Sequence, residues 1–460
     1  MTRRICAKSA LAMMSLGLAL YCSTTTRAED PNAILDLLER KGLITSEEAA
    51  QARKYYEKQQ AEAVVKDDKT KVASWINEMK WYGDLRLRSD YFSFEKDLDK
   101  ADRLRWRYRL RLGTEMKVQD WADINARLIS GEASPGSQLS GNATETSTFT
   151  KKPINIDLAF VRLHPPFLEG VQVIGGKFEP VIWSPTLISP MIYDPDVTVE
   201  GIGEQLNYKF GDNHQFRVFG NAGQYAVHEF STINHDAYMY DSQAGFQAKL
   251  DPVVVTIAGG YYLTQNLPAS DSKGATTLGD SANLGNGTMT SIVKGKTNTV
   301  YIADFGVVYG EAEVAWTICK DPFLGTPSVM KVGGMYLKNL SDRWKDDPRG
   351  DATDGWTVQA TFGDSAKKGQ WMLAYQYKKL EANATLDAIT DDDFGPGGTD
   401  RKGHVVRASY NVKDWWVLGA TAYVTEKISS LSDRPNSGHN QVGIPGQDNL
   451  HFYADTMFKF

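Results

Sequence analysis

The chain of 460 residues is short of cysteine, has no excess of basic residues and, beyond its N-terminal stretch, has no long apolar run. Its three cysteines are Cys6, Cys22 and Cys319. The first two fall inside a predicted export signal, so no intramolecular disulfide is expected and the fold must be held by hydrogen bonds and burial. Cys319 is predicted to be a small apolar strand residue. The net charge of -6 argues against non-specific nucleic-acid binding, which needs a basic surface.

Residues 1–28 are predicted to be a signal peptide that is cleaved after Ala28. The pattern has a basic start, an apolar stretch and a small-residue cleavage site, which are Arg3, Arg4 and Lys8, then Leu11 to Tyr21, then Thr26 to Ala28. Cys22 raises the alternative of a lipoprotein. Tyr21, which precedes it, is too bulky for the usual lipid-attachment site, so signal cleavage is the favoured interpretation.

No segment of the mature chain offers the roughly 20 consecutive apolar residues of a membrane helix. This excludes a helical membrane protein but not a barrel, whose strands place only every second side chain in lipid. Residues 29–72 are predicted to form a periplasmic helical segment and a charged linker. Gly42 ends one helical pattern, and Thr45 with Glu48 forms a capping box for the next. The segment is expected to pack on a partner copy or to form a periplasmic stalk.

The run from Asp102 to Leu112 alternates arginine with apolar residues. The arginines are Arg103, Arg105, Arg107, Arg109 and Arg111, and the apolar residues are Leu104, Trp106, Tyr108, Leu110 and Leu112. Successive side chains of a strand point to opposite faces, so this run has one cationic face and one apolar face. In a barrel in lipid the apolar face meets hydrocarbon and the arginines line a watery lumen. The alternative is an exposed strand of a soluble β-protein, with the arginines in open water.

The alternation continues to the end of the chain, so we predict an all-β fold, a transmembrane antiparallel β-barrel of about sixteen strands over residues 78–460. The connectors alternate between short turns and long segments rich in Gly, Ser, Asn, Asp and Pro, which is typical of a barrel with its longer loops outside. Val300 to Pro322 could contain one strand or two. A single strand, Gly306 to Cys319, keeps the strand number even.

Aromatic residues support the membrane interpretation. The last predicted strand, Leu450 to Phe460, alternates apolar with polar residues and ends in phenylalanine. This ending resembles the C-terminal signature by which outer-membrane barrels are handed to their assembly machinery. Tryptophans that lie mostly near strand ends are expected to form interfacial girdles. They are Trp81, Trp121, Trp183, Trp316, Trp371, Trp415 and Trp416.

On these features the chain resembles the putative porin family of Gram-negative outer membranes and, more loosely, general and phosphate-selective porins. The resemblance covers nearly the whole mature chain and rests on short motifs in a specific order. They are I-L-D-L-L-E-R-K-G-L-I-T-S-E-E-A (Ile34 to Ala49), G-D-L-R-L-R (Gly83 to Arg88), R-W-R-Y-R-L-R-L-G (Arg105 to Gly113), G-G-K-F (Gly175 to Phe178), D-P-D-V-T-V-E-G (Asp194 to Gly201), D-D-D-F-G (Asp391 to Gly395) and K-G-H (Lys402 to His404). The resemblance implies a homotrimer in the cell outer membrane, among outer-membrane lipids and lipopolysaccharide, that passes small hydrophilic solutes.

The third long connector, Glu179 to Glu200, is predicted to fold inward and narrow the lumen, because four prolines stiffen it. Its acids would face the arginines and create a transverse field. The predicted pore-lining and selectivity residues are Arg86, Arg88, Arg105, Arg107, Arg109, Arg111, Arg127, Asp194, Asp196 and Glu200. Two alternatives stand beside this prediction. Asp194 and Asp196 would be ordinary turn formers, and the arginines would only support the wall through ion pairs.

The sequence thus predicts a passive diffusion porin with a mild anion preference, without cofactor or metal. An enzyme is not expected, since the histidines, including His164, His214, His404 and His451, lie at turns or strand ends without a recognisable nucleophile motif. Asp391, Asp392 and Asp393 are predicted to be a solvated acidic loop, in preference to a calcium or lipopolysaccharide-bridging site. The alternative function is a surface barrel plugged by its loops that acts as an adhesin or receptor through Thr264 to Asp304 and Asn383 to Lys402.

Overall fold

A computed structural model describes residues 50, 54, 75–94, 102–131, 141–146, 149–270, 284–429 and 449–460. The predicted signal peptide, residues 1–28, lies outside this part of the chain, as does nearly all of the predicted helical segment, residues 29–72, and both stay predictions. None of the helices in the described residues is long and apolar enough to cross a membrane.

The described residues after position 75 form strands that pair with antiparallel neighbours. In chain order the strands are β1 (Glu78–Phe94), β2 (Arg103–Val118), β3 (Ala122–Ser130), β4 (Ala143–Thr144), β5 (Ile154–Leu163), β6 (Val171–Phe178), β7 (Val199–Phe210), β8 (Phe216–His228), β9 (Ala237–Leu250), β10 (Val253–Gln265), β11 (Thr288–Val293), β12 (Lys296–Tyr301), β13 (Gly306–Thr317), β14 (Val329–Asn339), β15 (Asp354–Gly363), β16 (Trp371–Leu380), β17 (Arg401–Lys413), β18 (Trp416–Lys427) and β19 (Asn449–Lys459). Short 3-10 helices at Asp212–His214, Asp342–Asp346 and Asp387–Ile389 lie in connectors.

The main sheet closes on itself because β1 pairs with both β2 and β19. It contains 17 strands. β4 is only two residues long and pairs with β2 on the N-terminal side of the stretch that pairs with β3. The other sixteen strands form the barrel, as the sequence predicts. The strands β11 and β12 make a separate hairpin within a long connector, which the sequence pattern did not predict. The single strand β13 resolves the ambiguity at Val300 to Pro322 in favour of an even number, although Cys319 lies beyond its end and is exposed.

The two faces of β2 have the predicted orientation. On one face Leu104 and Trp106 are 62% and 58% exposed, whereas Arg109 on the other face is 3% exposed. On the neighbouring strand β1, Leu87 is exposed and Arg88 is buried. Because the sheet is closed, the buried face is the lumen side. The exposed face is the outer surface, which alone can meet lipid.

Connector length alternates along the chain. The short turns are 119–121, 164–170, 211–215, 251–252, 318–328, 364–370 and 414–415, and all of them lie at one end of the barrel, the short-turn end. Aromatic rings gather at this end. Phe210 lies 5.5 Å from Phe216, and Trp416 lies 5.8 Å from Phe458, measured between ring centroids. Trp183 departs from the girdle prediction, since it lies in a connector that contacts the lumen wall.

Part of the lumen is filled by a packed apolar core. Side chains of β6, β8, β9, β10, β13, β14 and β16 pack there against residues of four long connectors. Met191, Tyr262, Tyr301, Phe305 and Trp344 are among the buried members. Among the described residues, this cluster includes no side chain from β1, β2 and β3, which carry the arginines, or from β19, which pairs with β1. The lumen is therefore divided between an apolar packed side and a charged side.

The apolar outer face of β2 leads to a prediction about stability at Leu110, an outward residue in the middle of this strand. Replacing Leu110 with arginine is expected to reduce the free energy of unfolding in lipid vesicles by about 2–4 kcal/mol, because a cation is placed in hydrocarbon. Urea titrations followed by the gel mobility of folded and unfolded forms measure the change. Leu110→Phe, the control, should change stability little. Equal stabilities for the two variants would mean that this face does not meet lipid.

Candidate functional site

The connector between β6 and β7, residues 179–198 and here called the first inner loop, is held along the lumen wall by glutamines. Each glutamine bonds the main chain of the loop; the pairs are Gln243 with Trp183, Gln359 with Thr186 and Ile188, and Gln376 with Ser189. At Gln376 the side-chain oxygen accepts from the Ser189 N–H at 2.8 Å, and the side-chain amide donates to the Ser189 carbonyl at 2.7 Å. The connector therefore folds inward, as the sequence predicts. The glutamine side chains make the main-chain hydrogen bonds that a neighbouring strand would make in a sheet.

The connector between β16 and β17, residues 381–400 and here called the second inner loop, also lies inside the barrel. Most of its residues are buried, including Phe394 and Asp387. The two inner loops bond each other, since the Asp194 N–H donates to the Ile389 carbonyl at 2.8 Å. The Asp194 carboxylate accepts from the Asp392 N–H at 3.2 Å. Both loops thus form one body that crosses the lumen.

The ladder arginines are paired with two acids of β1 that share their face. Asp90 is fully buried and accepts from Arg105 Nη2 at 2.6 Å and Arg107 Nη1 at 3.3 Å. Asp84 accepts from Arg111 Nε at 2.7 Å and Arg109 Nη2 at 3.2 Å. These ion pairs within the barrel wall are those expected if the arginines support the wall, which is the alternative to a role in selectivity.

His451 of β19 extends the network around Asp90. Its Nε2 lies 2.9 Å from Asp90 Oδ1, and its Nδ1 lies 2.8 Å from the Asp393 carbonyl oxygen. Both ring nitrogens of His451 therefore lie within hydrogen-bond distance of an oxygen of the acidic network. The ring also stacks on Phe92 at 3.8 Å.

One acid of each inner loop reaches the arginine wall. Asp196 of the first inner loop accepts from Arg109 Nη1 at 2.7 Å and lies 3.8 Å from Arg111 Nη1. Asp393 of the second inner loop accepts from Arg88 Nη1 at 2.8 Å. Arg88 also donates to Asp455 of β19 at 2.8 Å and covers the Tyr453 ring at 3.6 Å. These bridges narrow the charged side of the lumen.

Two predicted arginines differ from the ladder in their partners. Arg86 donates to the amide oxygen of Asn142 at 2.9 Å, and no carboxylate of the described residues lies within 4.0 Å of it. Arg127 of β3 pairs with Asp157 at 2.5 Å and with Glu179 at 3.1 Å.

Two predicted acids lie elsewhere than expected. Asp194 is buried and makes a turn, because its carboxylate accepts from the Asp196 N–H at 2.7 Å, as the turn-former alternative expects. Glu200 corrects the prediction more strongly. It belongs to β7, shares the outer face of Ile202, and bonds Lys177 at 3.1 Å. It therefore does not line the lumen.

The acidic run of the second inner loop is not the solvated loop that the sequence predicts, since Asp391 is only 4% exposed. One carboxylate oxygen from each of Asp194, Asp391 and Asp392 lies within 4.8 Å of the others, a grouping that a cation could bridge. Burial raises the pKa of Asp194 and Asp391 above the ordinary range. Burial and the charges of Asp393 and Asp391 raise the pKa of Asp392 to about 7. Burial acts the same way on Asp393, but Arg88 and His451 outweigh it and hold its pKa below the usual range.

Open space lies on the charged side, towards the short-turn end. A cavity of about 380 Å³ is lined by Tyr82, Asp84, Arg111, Arg127 and Lys459, among others. A second cavity, of about 300 Å³, lies beside it and shares Tyr82 and Arg127. The arrangement can therefore admit hydrated solutes to a zone bounded by guanidinium groups and carboxylates.

A closed antiparallel sheet with an apolar outer face and a charged, water-accessible interior defines a transmembrane β-barrel of the outer membrane. The chain belongs to the putative porin family, because a family model described as "Putative porin" matches residues 96–312 and 332–436. This family places the protein in the outer membrane. No curated protein sequence matches the chain.

The chain is also similar to solved outer-membrane structures. OmpT of Vibrio cholerae, folded in vitro and in a trimer form, is 13% identical over 83% of this chain and 99% of that chain, with a TM-score of 0.46. OprB of Pseudomonas putida at high pH is 11% identical over 83% and 94% of the two chains, with a TM-score of 0.46. The outer-membrane channel DcaP of Acinetobacter baumannii is 13% identical over 83% and 97%, with a TM-score of 0.42.

The glutamine contacts predict that Gln376→Leu loosens the first inner loop. The variant leaves the Ser189 N–H and carbonyl without their partners, so the free energy of unfolding should fall by roughly 1–3 kcal/mol. Urea unfolding in detergent micelles measures this loss. Gln172→Leu is the matched control, since Gln172 faces Gln205 on the lumen side but makes no side-chain hydrogen bond to a described residue. Equal losses in both variants would contradict the role given to the amide.

Proposed function

We propose that the protein is a passive channel through which small hydrophilic solutes diffuse across the outer membrane, with a mild anion preference. The observation that supports the proposal most strongly is the division of the lumen, in which two inner loops pack against one side and leave a charged, accessible zone along β1 and β2. In this proposal the short-turn end faces the periplasm and the long loops face outwards.

The anion preference is inferred from the charges around the constriction. Six guanidinium groups, of Arg86, Arg88, Arg105, Arg107, Arg109 and Arg111, face five carboxylates, of Asp84, Asp90, Asp196, Asp393 and Asp455. Most of the arginine charge is compensated by direct ion pairs, so the expected preference is small. Selectivity then depends on the few charges left without an opposite partner.

The histidines with close acid partners do not suggest a catalyst. Both ring nitrogens of His451 are engaged, so the imidazole cannot accept a proton from a nucleophile. His164 Nε2 lies 2.7 Å from Asp123 at the short-turn end. We therefore propose transport without chemistry.

The plugged barrel remains a second candidate, because the inner loops bond the arginine wall directly through Arg88–Asp393 and Arg109–Asp196. In this case the outer loops would bind a partner and no ions would pass. Single-channel recording of the full chain in planar bilayers separates the two candidates. The proposed channel gives a stable open conductance, whereas a plugged barrel gives none.

The homotrimer that the family resemblance implies is part of the proposal. Sedimentation of the detergent-solubilised protein, corrected for bound detergent, measures the mass of the assembly. The predicted partners are outer-membrane lipids and lipopolysaccharide around the barrel, small hydrophilic solutes within it, and the assembly machinery that binds at Phe460.

Arg86 gives a direct test of the anion preference, because no carboxylate in the described part of the chain would be left unpaired by its mutation. Arg86→Gln is expected to lower the chloride-to-potassium permeability ratio by roughly two- to threefold, the effect of one unit charge several ångströms from an aqueous path. Reversal potentials in a salt gradient measure the ratio. Lys320→Gln, which removes one positive charge from an exposed turn, should leave it unchanged. Identical reversal potentials in wild type and Arg86→Gln would exclude Arg86 from selectivity.

Asp392 predicts a pH dependence of the same ratio. With a pKa of about 7, its carboxyl group is neutral in weak acid and becomes negative as the pH rises from 6 to 8. The added negative charge near Arg107 should reduce the anion preference over that interval. Asp392→Asn should retain the acid-side preference with a much smaller pH dependence. The control Asp346→Asn removes an exposed acid and should behave as wild type. A steep pH dependence that survives in Asp392→Asn would assign the titration to another group.

A further inference from the structure

Three acids, Asp194, Asp391 and Asp392, lie where the two inner loops meet and are here called the acidic cluster. One carboxylate oxygen of each lies within 4.8 Å of the others. Two oxygens bound on opposite sides of a calcium ion are about 4.6–5.2 Å apart, because each Ca–O distance is about 2.3–2.6 Å. The spacing of the three oxygens therefore fits a single ion of this size.

Two of these carboxylates have oxygens that no donor satisfies. Asp391 is only 4% exposed, and its Oδ1 accepts from the Asp393 N–H at 3.0 Å. Its Oδ2 is buried and has no hydrogen-bond partner. No described residue donates a hydrogen bond to the carboxylate of Asp392, although the main chain of Asp392 donates to Asp194. A buried carboxylate oxygen without a donor is costly, so the acidic cluster favours a positively charged ligand.

The basic residues near the acidic cluster are bonded elsewhere. Lys378 donates to Ser189 Oγ at 3.0 Å and to the Pro190 carbonyl at 2.7 Å. Among the described residues, no nitrogen of an arginine, lysine or histidine side chain lies within 4.0 Å of a carboxylate oxygen of the cluster. The neighbouring Asp393 differs, because it is paired with Arg88. The three acids of the cluster therefore have no direct counter-charge from the described part of the chain.

The acidic cluster can be reached by water. Asp194 lines a cavity of about 200 Å³ in the first inner loop, together with Tyr193 and Pro195. Asp392 is itself partly exposed. The cavity is large enough for several water molecules. Water can therefore supply the remaining oxygen ligands of a calcium ion, which takes about six to eight in total.

We propose that the acidic cluster is a binding site for one hard divalent cation of the size of calcium, and that the ion joins the two inner loops. Asp194 supplies a ligand from the first inner loop, and Asp391 and Asp392 supply ligands from the second. The ion compensates the carboxylates that the chain leaves without a counter-charge, and it holds the two loops together where they cross the lumen. The site goes beyond the proposed transport function, since it requires no open channel.

The test is calorimetric titration of calcium chloride into the full folded chain in detergent micelles, after divalent cations have been removed with a chelator. The titration is done at pH 8, above the pKa of about 7 of Asp392. The expected result is saturable binding of one calcium ion per chain. Asp391→Asn should weaken this binding on the order of tenfold, because it removes a charged ligand and keeps the shape of the side chain. The absence of saturable binding, or an unchanged affinity in Asp391→Asn, would overturn the proposal.

Asp346→Asn is the matched control, because it removes one negative charge from an exposed position outside the cluster. It should bind calcium as wild type does, and equal losses in Asp346→Asn and Asp391→Asn would overturn the assignment to the cluster. Asp392→Asn alters a partly exposed acid, which disturbs packing less, and should show the same loss as Asp391→Asn.

Thermal unfolding of the same preparations measures the link between the loops. Calcium should raise the unfolding midpoint of the wild type and leave that of Asp391→Asn unchanged, and equal shifts in the two proteins would overturn the proposal. Conductance in potassium chloride is recorded as well. An absent conductance rejects the channel, whereas normal conductance without calcium binding rejects only this site.

Discussion

Compensation of the arginine wall is the constraint on which the rest of the structure depends. Several guanidinium groups on one face of one strand repel each other, and burial makes that repulsion stronger. Removing one partner from a buried ion pair costs about 3–5 kcal/mol, so the acids must arrive in the right places. Asp84 and Asp90 come from the adjacent strand, whereas Asp196 and Asp393 come from distant connectors. The arginines of the barrel wall therefore help to determine the position of both inner loops in the lumen.

On the opposite side of the lumen the inner loops are held by apolar packing instead of ion pairs. There the loops meet an apolar cluster around Met191, Tyr262 and Phe305, which needs no charge to be satisfied. The loops thus contact the barrel by burial on one side and by ion pairs on the other. This asymmetry keeps water and charge together along β1 and β2, and it concentrates the candidate site on a few strands.

The barrel could be predicted from the sequence because its signals are local. Alternation at Leu104, Arg105 and Trp106 assigns faces without knowledge of any other strand, and turn composition separates short from long connectors. The charge partners could not be predicted so well, because pairing depends on register and on how distant loops fold. Asp90 shares the lumen face of β1, yet only the register sets it opposite Arg105. Glu200 was misplaced because β7 begins at Val199, inside the predicted connector, and Glu200 lies on the outer face of this strand. The acidic run at Asp391 resembles a solvated loop in composition, and its burial follows from tertiary packing alone.

The glutamine contacts have a further consequence for how the channel can change. Gln359 and Gln376 bond the loop through its peptide groups, so the position of the loop does not depend on which side chains it carries at those points. Substitutions within the loop can alter the chemistry of the narrow zone while the path of the backbone stays the same. The barrel wall thus holds the backbone of the loop in place while the side chains of the loop remain free to change. A few replacements in the loop would then alter which solutes it contacts, without a change of fold.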